Sequence, residues 1–98
     1  MDRLFTALVR GPSMVPALRD GDALLVRRTD RVRAGQVVVV RFPGTPGLSV
    51  KRAVRPLDGG WWVLGDNPYG STDSRELGPA QIVGRVLIRW WPRLSRVR

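Results

Sequence analysis

Two residues that lie far apart in this chain are of the types that together carry out hydrolysis. Ser13 lies between two prolines in the run Gly-Pro-Ser-Met-Val-Pro (residues 11–16), and the prolines stiffen the backbone that presents its hydroxyl. Lys51 is the only lysine among 17 basic residues and lies inside a probable strand at 49–54. A serine hydroxyl becomes a nucleophile when a neighbouring base removes its proton, and a neutral lysine amine is such a base. The pair therefore suggests a serine nucleophile with a lysine base.

The composition excludes most other hydrolytic chemistry. The chain has no His and no Cys, so the usual general base, a thiol nucleophile, disulfides and Cys/His metal sites are all ruled out. A Ser-Lys dyad is the recognised arrangement that remains. Because the other sixteen basic residues are all Arg, Lys51 is the one cation whose amine can be deprotonated.

Lys51 must meet a physical condition before it can act as a base. A free lysine has a pKa near ~10.4, whereas a base that works at neutral pH needs a pKa of roughly 7 to 8. The site must therefore destabilise the ammonium form by about 4 kcal/mol, and burial is able to do so. We expect Met14 and the segment 64–71 to cover the amine, because no acidic residue lies near Lys51 in the sequence.

Length and charge limit the class of protein further. With 98 residues the chain forms one domain, residues 1–98, that buries roughly 60–70% of its unfolded surface. Its net charge of +9, with a basic tail at 93–98, favours anionic partners, although a solvated arginine-rich face explains the same count. The sequence has no run near the ~18 to 20 apolar residues of a membrane span and no signal peptide pattern at its start. We expect a soluble, cytoplasmic protein, which the lack of Cys also suits.

Apolar runs separated by turn residues predict an all-β fold. We expect strands near residues 4–9, 23–28, 36–42, 48–55, 61–65 and 82–91, coiled into a small, partly open barrel. Four consecutive valines at 37–40 are typical of a strand that is buried on both faces. The Asp-Gly-Gly run at 58–60 predicts a hairpin turn, and a helical turn is expected only near 79–81.

The fourth strand and the loop after the fifth determine the surroundings of Lys51. Alternation places Lys51 on the face opposite Leu48, Val50 and Val54. If the Leu/Val face meets the core, Lys51 points into a site. The segment 65–78 is rich in Gly, Asn, Asp, Ser and Pro, and so long a loop in a small domain is typical of a functional loop.

Four blocks of the sequence, in order, resemble the conserved boxes of the signal peptidase I family of Ser/Lys proteases. They are Gly-Pro-Ser-Met-Val-Pro-Ala-Leu (11–18), Arg-Ala-Gly-Gln-Val-Val-Val (33–39), Val-Lys-Arg-Ala (50–53), and Gly-Asp-Asn (65–67) running to Ser-Thr-Asp-Ser-Arg (71–75). The last block is the specific one, because the related self-cleaving repressor proteases lack it. Within the family, the run Gly-Gly-Trp-Trp-Val-Leu-Gly-Asp-Asn-Pro (59–68) looks most like the branch that matures nickel-type superoxide dismutase.

The resemblance implies roles for individual residues. Ser13 corresponds to the acyl-forming nucleophile, Lys51 to the general base, and Ser71 to a serine that hydrogen-bonds the amine and orients it. The Ser13 N–H is expected to bind the oxyanion, and Gly11 stands where some members have a serine whose hydroxyl helps to do so. Met14 is expected to contact the substrate.

Further residues match family positions that hold the last loop beside the site through ion pairs. These are Arg52, Asp66, Asp73 and Arg75.

The predicted function is endoproteolysis that removes an N-terminal leader from a precursor protein. The closer resemblance implies the nickel superoxide dismutase precursor as substrate, while this chain itself is expected to hold no metal or other cofactor. A membrane-associated signal peptidase is the alternative within proteases. A basic β-barrel that binds single-stranded nucleic acid through its four Trp is a second alternative, although the protease reading expects no nucleic acid partner. A catalytically silent interaction module, with Lys51 exposed to water, is the third.

Overall fold

Seven strands pair into one antiparallel sheet in the computed structural model, which describes residues 3–98. The elements in chain order are β1 (Leu4–Leu8), β2 (Ala23–Arg28), β3 (Val37–Arg41), β4 (Ser49–Leu57), β5 (Gly60–Leu64), α1 (Ser74–Leu77), β6 (Gln81–Trp91) and β7 (Ser95–Arg96). The order across the sheet is β1-β2-β6-β3-β4-β5, and β7 pairs with β6. The all-β prediction is confirmed, and β1 to β6 lie within two residues of their predicted bounds.

The valine run forms the strand around which both halves of the core are built. Val37 and Val39 belong to one buried apolar cluster, together with residues of β2 and the turn after β1. Val38 and Val40 belong to a second cluster with residues of β4 and β5. Because successive side chains of a strand point to opposite faces, one continuous apolar run serves both clusters. The prediction of a strand buried on both faces is confirmed.

The hairpin of β4 and β5 follows from the turn residues between them. Asp58 and Gly59 both have positive φ, 50° and 80°, as a two-residue turn between antiparallel strands requires. The predicted hairpin is confirmed. In the middle of the sheet, the long strand β6 pairs with both β2 and β3 and so joins the two halves.

One local prediction is wrong, and another segment contains structure that was not predicted. The helical turn is Ser74–Leu77 and not 79–81, because the carboxylate of Asp73 accepts a hydrogen bond from the Arg75 N–H and caps the helix, whereas Ala80 pairs with Trp61 through both of its backbone groups. The basic tail at 93–98 is also more than a tail. It contains β7, and the carbonyl oxygen of Arg98 accepts a hydrogen bond from Arg52.

Candidate active site

The turn that carries Ser13 is fastened to the core by two side chains on its inner side. Met14 and Leu18 are both buried in the first apolar cluster, and the Leu18 N–H donates to the Met14 carbonyl at 2.9 Å. Ser13, which precedes the first of these anchors, is only half-buried. Met14 lies entirely within the core, so it anchors the turn instead of making the substrate contact predicted for it.

The backbone N–H groups of Gly11 and Ser13, the two residues expected to bind the oxyanion, differ in whether they already make a hydrogen bond. Gly11 has a φ of 81°, and its N–H donates to the Asp20 carboxylate at 2.7 Å, so this N–H is already engaged. Among residues 3–98, no oxygen accepts a hydrogen bond from the Ser13 N–H. The oxyanion role predicted for Gly11 is therefore not supported by its geometry, and the Ser13 N–H is the donor that remains.

Lys51 is buried in β4, on a face that the sequence assigned to the site and not to the core. Its register partner on β3 is Val38, and only 5% of Lys51 is exposed. Ala53, on the same face, is buried as well, whereas Leu48 is exposed. Both faces of this strand therefore contact the core, because Val50 packs against the first apolar cluster while Ala53 belongs to the second. Since β3 is buried on both faces, the β4 residues paired with it lie against apolar side chains too.

Burial changes the acid-base chemistry of Lys51 in the direction that a general base needs. Removal from water lowers the pKa of the amine, and the nearby carboxylate of Asp73 raises it in part, with a net lowering. No acidic residue lies near Lys51 in the sequence, but in the fold the loop after β5 brings Asp73 close to it. A catalytically silent module was expected to leave Lys51 exposed to water. Lys51 is buried instead.

Ser13 and Lys51 line the same cavity, which has a volume of about 180 Å³. Residues 8–10, at the end of β1, form one wall, and residues 48–50, at the start of β4, form the other. Among the described residues, no hydrogen bond joins the Lys51 amine to the hydroxyl of Ser13. The cavity thus holds a nucleophile candidate and a buried base candidate between two extended backbone segments.

Asn67 holds the Ser13 turn from the other side. Its N–H donates to the Ser13 carbonyl at 2.9 Å, and its side-chain amide donates to the Pro12 carbonyl at 3.1 Å. Gly65 permits this close approach, because a Cβ at that position would lie 2.7 Å from the Ser13 carbonyl oxygen and 2.1 Å from the Ser71 Oγ. The sequence analysis assigned no role to Asn67, although its place in the Gly-Asp-Asn block was a signal for this one.

Asp73 organises the rest of the loop. It is completely buried, and its carboxylate accepts hydrogen bonds from the Gly65 N–H at 2.9 Å, from the Ser71 hydroxyl at 2.8 Å and from the Arg75 guanidinium at 2.9 Å. Burial alone would raise the pKa of Asp73, but these hydrogen bonds outweigh it and hold the pKa well below its usual range. Asp73 is therefore a permanent negative charge beside the site.

The hydroxyl of Ser71 has a different partner from the one predicted. It donates to Asp73, and within residues 3–98 it makes no hydrogen bond to the Lys51 amine. Ser71 is linked to Lys51 through Asp73, because the same carboxylate accepts the Ser71 hydroxyl and raises the pKa of Lys51. Its predicted role as the group that orients the lysine is corrected accordingly.

Arg52 joins the strand of Lys51 to the same loop. Its guanidinium forms a bidentate ion pair with Asp66, with N···O distances of 2.6 Å and 3.2 Å. It also donates to the Gly35 carbonyl at 3.1 Å. The sequence analysis expected ion pairs from four residues without assigning partners, and the fold pairs Arg52 with Asp66 and Arg75 with Asp73. Each ties one end of the loop in place.

Two further kinds of site were searched among the described residues. In residues 3–98, no group of three or more acidic side chains gathers in a way that would hold a metal ion. The helical part of the same residues contains nothing with the length and apolar character of a membrane crossing.

A serine on a pinned turn, a buried lysine and an unengaged backbone N–H are the parts of an acyl-transfer site. The profile described as Peptidase S24-like matches residues 1–87, so the chain belongs to this family. It is a serine peptidase of the Ser/Lys dyad type.

Two relatives refine this class. The mitochondrial ATP-independent inner membrane protease subunit 1a of Arabidopsis thaliana is 34% identical over 118 aligned positions, which cover 89% of this chain and 70% of that protein. The mitochondrial inner membrane protease subunit 1 of Xenopus tropicalis is 32% identical over 110 positions, which cover 84% of this chain and 66% of that protein. The chain thus spans about two thirds of the length of these relatives. The resemblance to signal peptidases is confirmed at this level.

Proposed function

We propose that Ser13 and Lys51 cut the peptide bond between a leader segment and the remainder of a precursor protein. The observation that carries the proposal is that both residues line one cavity while the lysine is buried and its pKa is lowered. In the first step the neutral Lys51 amine takes the proton from the Ser13 Oγ as that oxygen attacks the carbonyl carbon. The negative charge that develops on the carbonyl oxygen is stabilised by the Ser13 N–H.

The second half of the reaction returns each group to its starting state. As the C–N bond breaks, the Lys51 ammonium gives its proton to the departing amine, and the leader stays bound to Ser13 as an ester. A water molecule then attacks the ester carbon, and Lys51 takes a proton from this water. The C–O bond to Ser13 breaks, Lys51 returns the proton to the Ser13 Oγ, and the leader leaves with a free carboxyl group.

The shape of the cavity favours an extended peptide as substrate. Its two walls are the backbone segments 8–10 and 48–50, and an extended peptide between them would find backbone donors and acceptors on both sides. For the identity of the precursor, the proposal is nickel superoxide dismutase. The support for it is the resemblance of the run at 59–68 to the branch that matures this enzyme.

The test is cleavage of candidate precursors followed by mass spectrometry of the products. The nickel superoxide dismutase precursor and an unrelated leader-bearing precursor are each incubated with wild type, Ser13→Ala, Lys51→Met and Ser49→Ala. Ser49 is a matched control because it is the other serine that lines the cavity. We expect one defined cut by wild type and by Ser49→Ala, and none by the other two variants.

Acid quenching during turnover then locates the covalent intermediate. The expected species is the protein with the leader esterified at Ser13. Cleavage that survives Ser13→Ala, or an ester on Ser49, would contradict the assignment of the nucleophile. A cut in the unrelated precursor alone would leave the peptidase mechanism in place and remove nickel superoxide dismutase as the substrate.

The second candidate function is signal peptidase activity at a membrane surface. It is favoured by the two relatives, both of which are inner membrane proteases by name. The discriminating measurement is cleavage of one precursor presented in lipid vesicles and in free solution. A strong preference for the vesicle-bound precursor would support this second function.

A further inference from the structure

A second cavity, larger than that of the candidate active site, opens directly beside it. Its volume is about 720 Å³, and we call it the aromatic groove. Its lining residues are Thr6, Ala7, Leu8, Arg10, Ala23, Trp90 and Trp91. Leu8 and Arg10 also line the cavity of Ser13 and Lys51, so the groove is continuous with that cavity at the end of β1.

The walls of the groove are large apolar side chains that the fold leaves open to solvent. Leu8, Ala23 and Trp91 are register partners across β1, β2 and β6, so they form one row across three strands. Leu8 is 56% exposed and Trp91 59% exposed, and the neighbouring Trp90 is exposed as well. A contiguous exposed apolar patch that contains aromatic rings is typical of a binding surface.

Arg10 adds a positive charge for which residues 3–98 provide no ion-pair partner. It lies where the two cavities meet, and it is exposed. The ion pairs that join the described residues involve Arg52, Arg75 and Arg89, and none includes Arg10. The two acidic residues that close the same turn are occupied, since Asp20 accepts from the Gly11 N–H and Asp22 pairs with Arg89. Arg10 is thus an exposed cation at the mouth of the site, available to a carboxylate of a bound molecule.

We infer that the aromatic groove and Arg10 form a specificity subsite for the precursor, which takes a bulky apolar side chain into the groove and pairs an Asp or Glu with Arg10. This inference rests on the proposed peptidase function. The continuity of the groove with the Ser13 cavity places both substrate residues close to the bond that is cut. The two contacts together explain why an arginine and two tryptophans lie open beside the site.

Binding is tested separately from cleavage, in the Ser13→Ala protein. A positional-scanning library of labelled octapeptides is selected against this protein, and the best acidic peptide is compared by fluorescence anisotropy with its Gln and Lys counterparts. We expect selection of an acidic residue and a bulky apolar residue at fixed spacing. The Gln peptide should bind about five-fold more weakly, the factor of one partly exposed ion pair.

Charge reversal identifies the residue responsible. In the Ser13→Ala background, Arg10→Glu should make the Lys peptide the preferred one. Arg41→Glu is the matched control, because Arg41 is an exposed arginine of β3 that lines neither cavity. It changes the net charge by the same amount and should leave the order of the peptides unchanged. Trp91→Ala should abolish the apolar preference, whereas Leu94→Ala, at an exposed leucine outside the groove, should not.

Each outcome decides between the inference and its rivals. Equal binding of Glu and Gln peptides, or equal effects of Arg10→Glu and Arg41→Glu, would overturn the subsite. Binding of anionic lipid vesicles that depends on Arg10, with no peptide preference, would overturn it in favour of a membrane surface. If the wild type cuts no precursor while the Ser13→Ala protein still selects acidic peptides, the peptidase proposal fails and the subsite stands.

Discussion

Gly65 lies at the closest approach between the last loop and the Ser13 turn, so an added methyl group there should disable the site. The Cβ of Gly65→Ala would lie 2.7 Å from the Ser13 carbonyl oxygen and 2.6 Å from the Ser71 Cβ, whereas ordinary contact begins at 3.4 Å. Relief of these contacts requires shifts of about 3.4 − 2.7 = 0.7 Å and 3.4 − 2.6 = 0.8 Å. Rotation of the Ser71 hydroxyl does not remove the second contact, because the Cβ itself is too near.

Shifts of this size have a known kinetic scale. A displacement approaching 1 Å in a catalytic arrangement lowers activity about 100-fold, which corresponds to about 2.7 kcal/mol in the barrier. We therefore expect kcat/KM of Gly65→Ala to fall about 100-fold. Overpacking should also destabilise the fold, by about 1–3 kcal/mol.

Gly60→Ala separates the kinetic effect from the loss of stability. At Gly60 a Cβ would lie 2.6 Å from the Ala80 carbonyl oxygen, which is a comparable clash. This clash lies where Ala80 pairs with β5, away from Ser13. Neither glycine has a positive φ, so the substitutions carry no additional backbone strain. Both variants are compared by urea unfolding and by kcat/KM on a reporter peptide, well below the unfolding midpoint. If the two variants were equally destabilised and had equal kcat/KM, the loss at Gly65 would not come from displacement of the Ser13 turn.

Four further outcomes test the electrostatics of the site and the hydrogen bonds of Asn67. Lys51→Arg should be as inactive as Lys51→Met, because guanidinium cannot act as a base, and full activity in the Arg variant would remove the dyad. Lys51→Met should also be more stable than wild type, since it removes the cost of a buried ammonium, and this gain should vanish as the pH rises to the ordinary lysine pKa near ~10.4. In wild type, kcat/KM should rise with pH as Lys51 loses its proton, and Asp73→Asn should move this rise to lower pH, because it removes the charge that raises the Lys51 pKa. An unchanged profile, measured at temperatures where the variant is folded, would contradict the coupling. Asn67→Ala loses the side-chain hydrogen bond to the Pro12 carbonyl, so it should lower the unfolding free energy by about 1–2 kcal/mol and also lower kcat/KM. If its kinetics were those of wild type, the backbone hydrogen bond from Asn67 to Ser13 would be sufficient to hold the turn.

Local pattern was sufficient for most of the architecture. The valine run, the Asp-Gly turn and the apolar runs of β1 and β6 each depend on neighbours in sequence, so the strands and the hairpin were predicted nearly at their observed bounds. The helical turn at 74–77 was missed, although Asp73 followed by Glu76 is a recognised helix start signal. The strand β7 is too short for any periodic pattern to reveal.

The site was predictable as a set of residues but not as an arrangement. The four sequence blocks bring together the residues that the fold also assembles around one loop. Alternation correctly placed Lys51 opposite Leu48 in β4, but it does not state which face is buried. The fold decides this, because Val38 and Ala53 belong to the second buried cluster, while Val50 packs against the first from the opposite face of β4.

The sequence by itself determined that this chain is all-β, that it has no His or Cys, and that Ser13 and Lys51 are its candidates for a nucleophile and a base. Only the tertiary structure decided that Met14 lies in the core, that Asn67 holds the Ser13 turn, and that Asp73 opposes the lowered pKa of Lys51. The physical reason is that burial and charge interactions depend on distances between segments that are remote in sequence. Those distances are set by the pairing of the sheet and by the loop that closes over it.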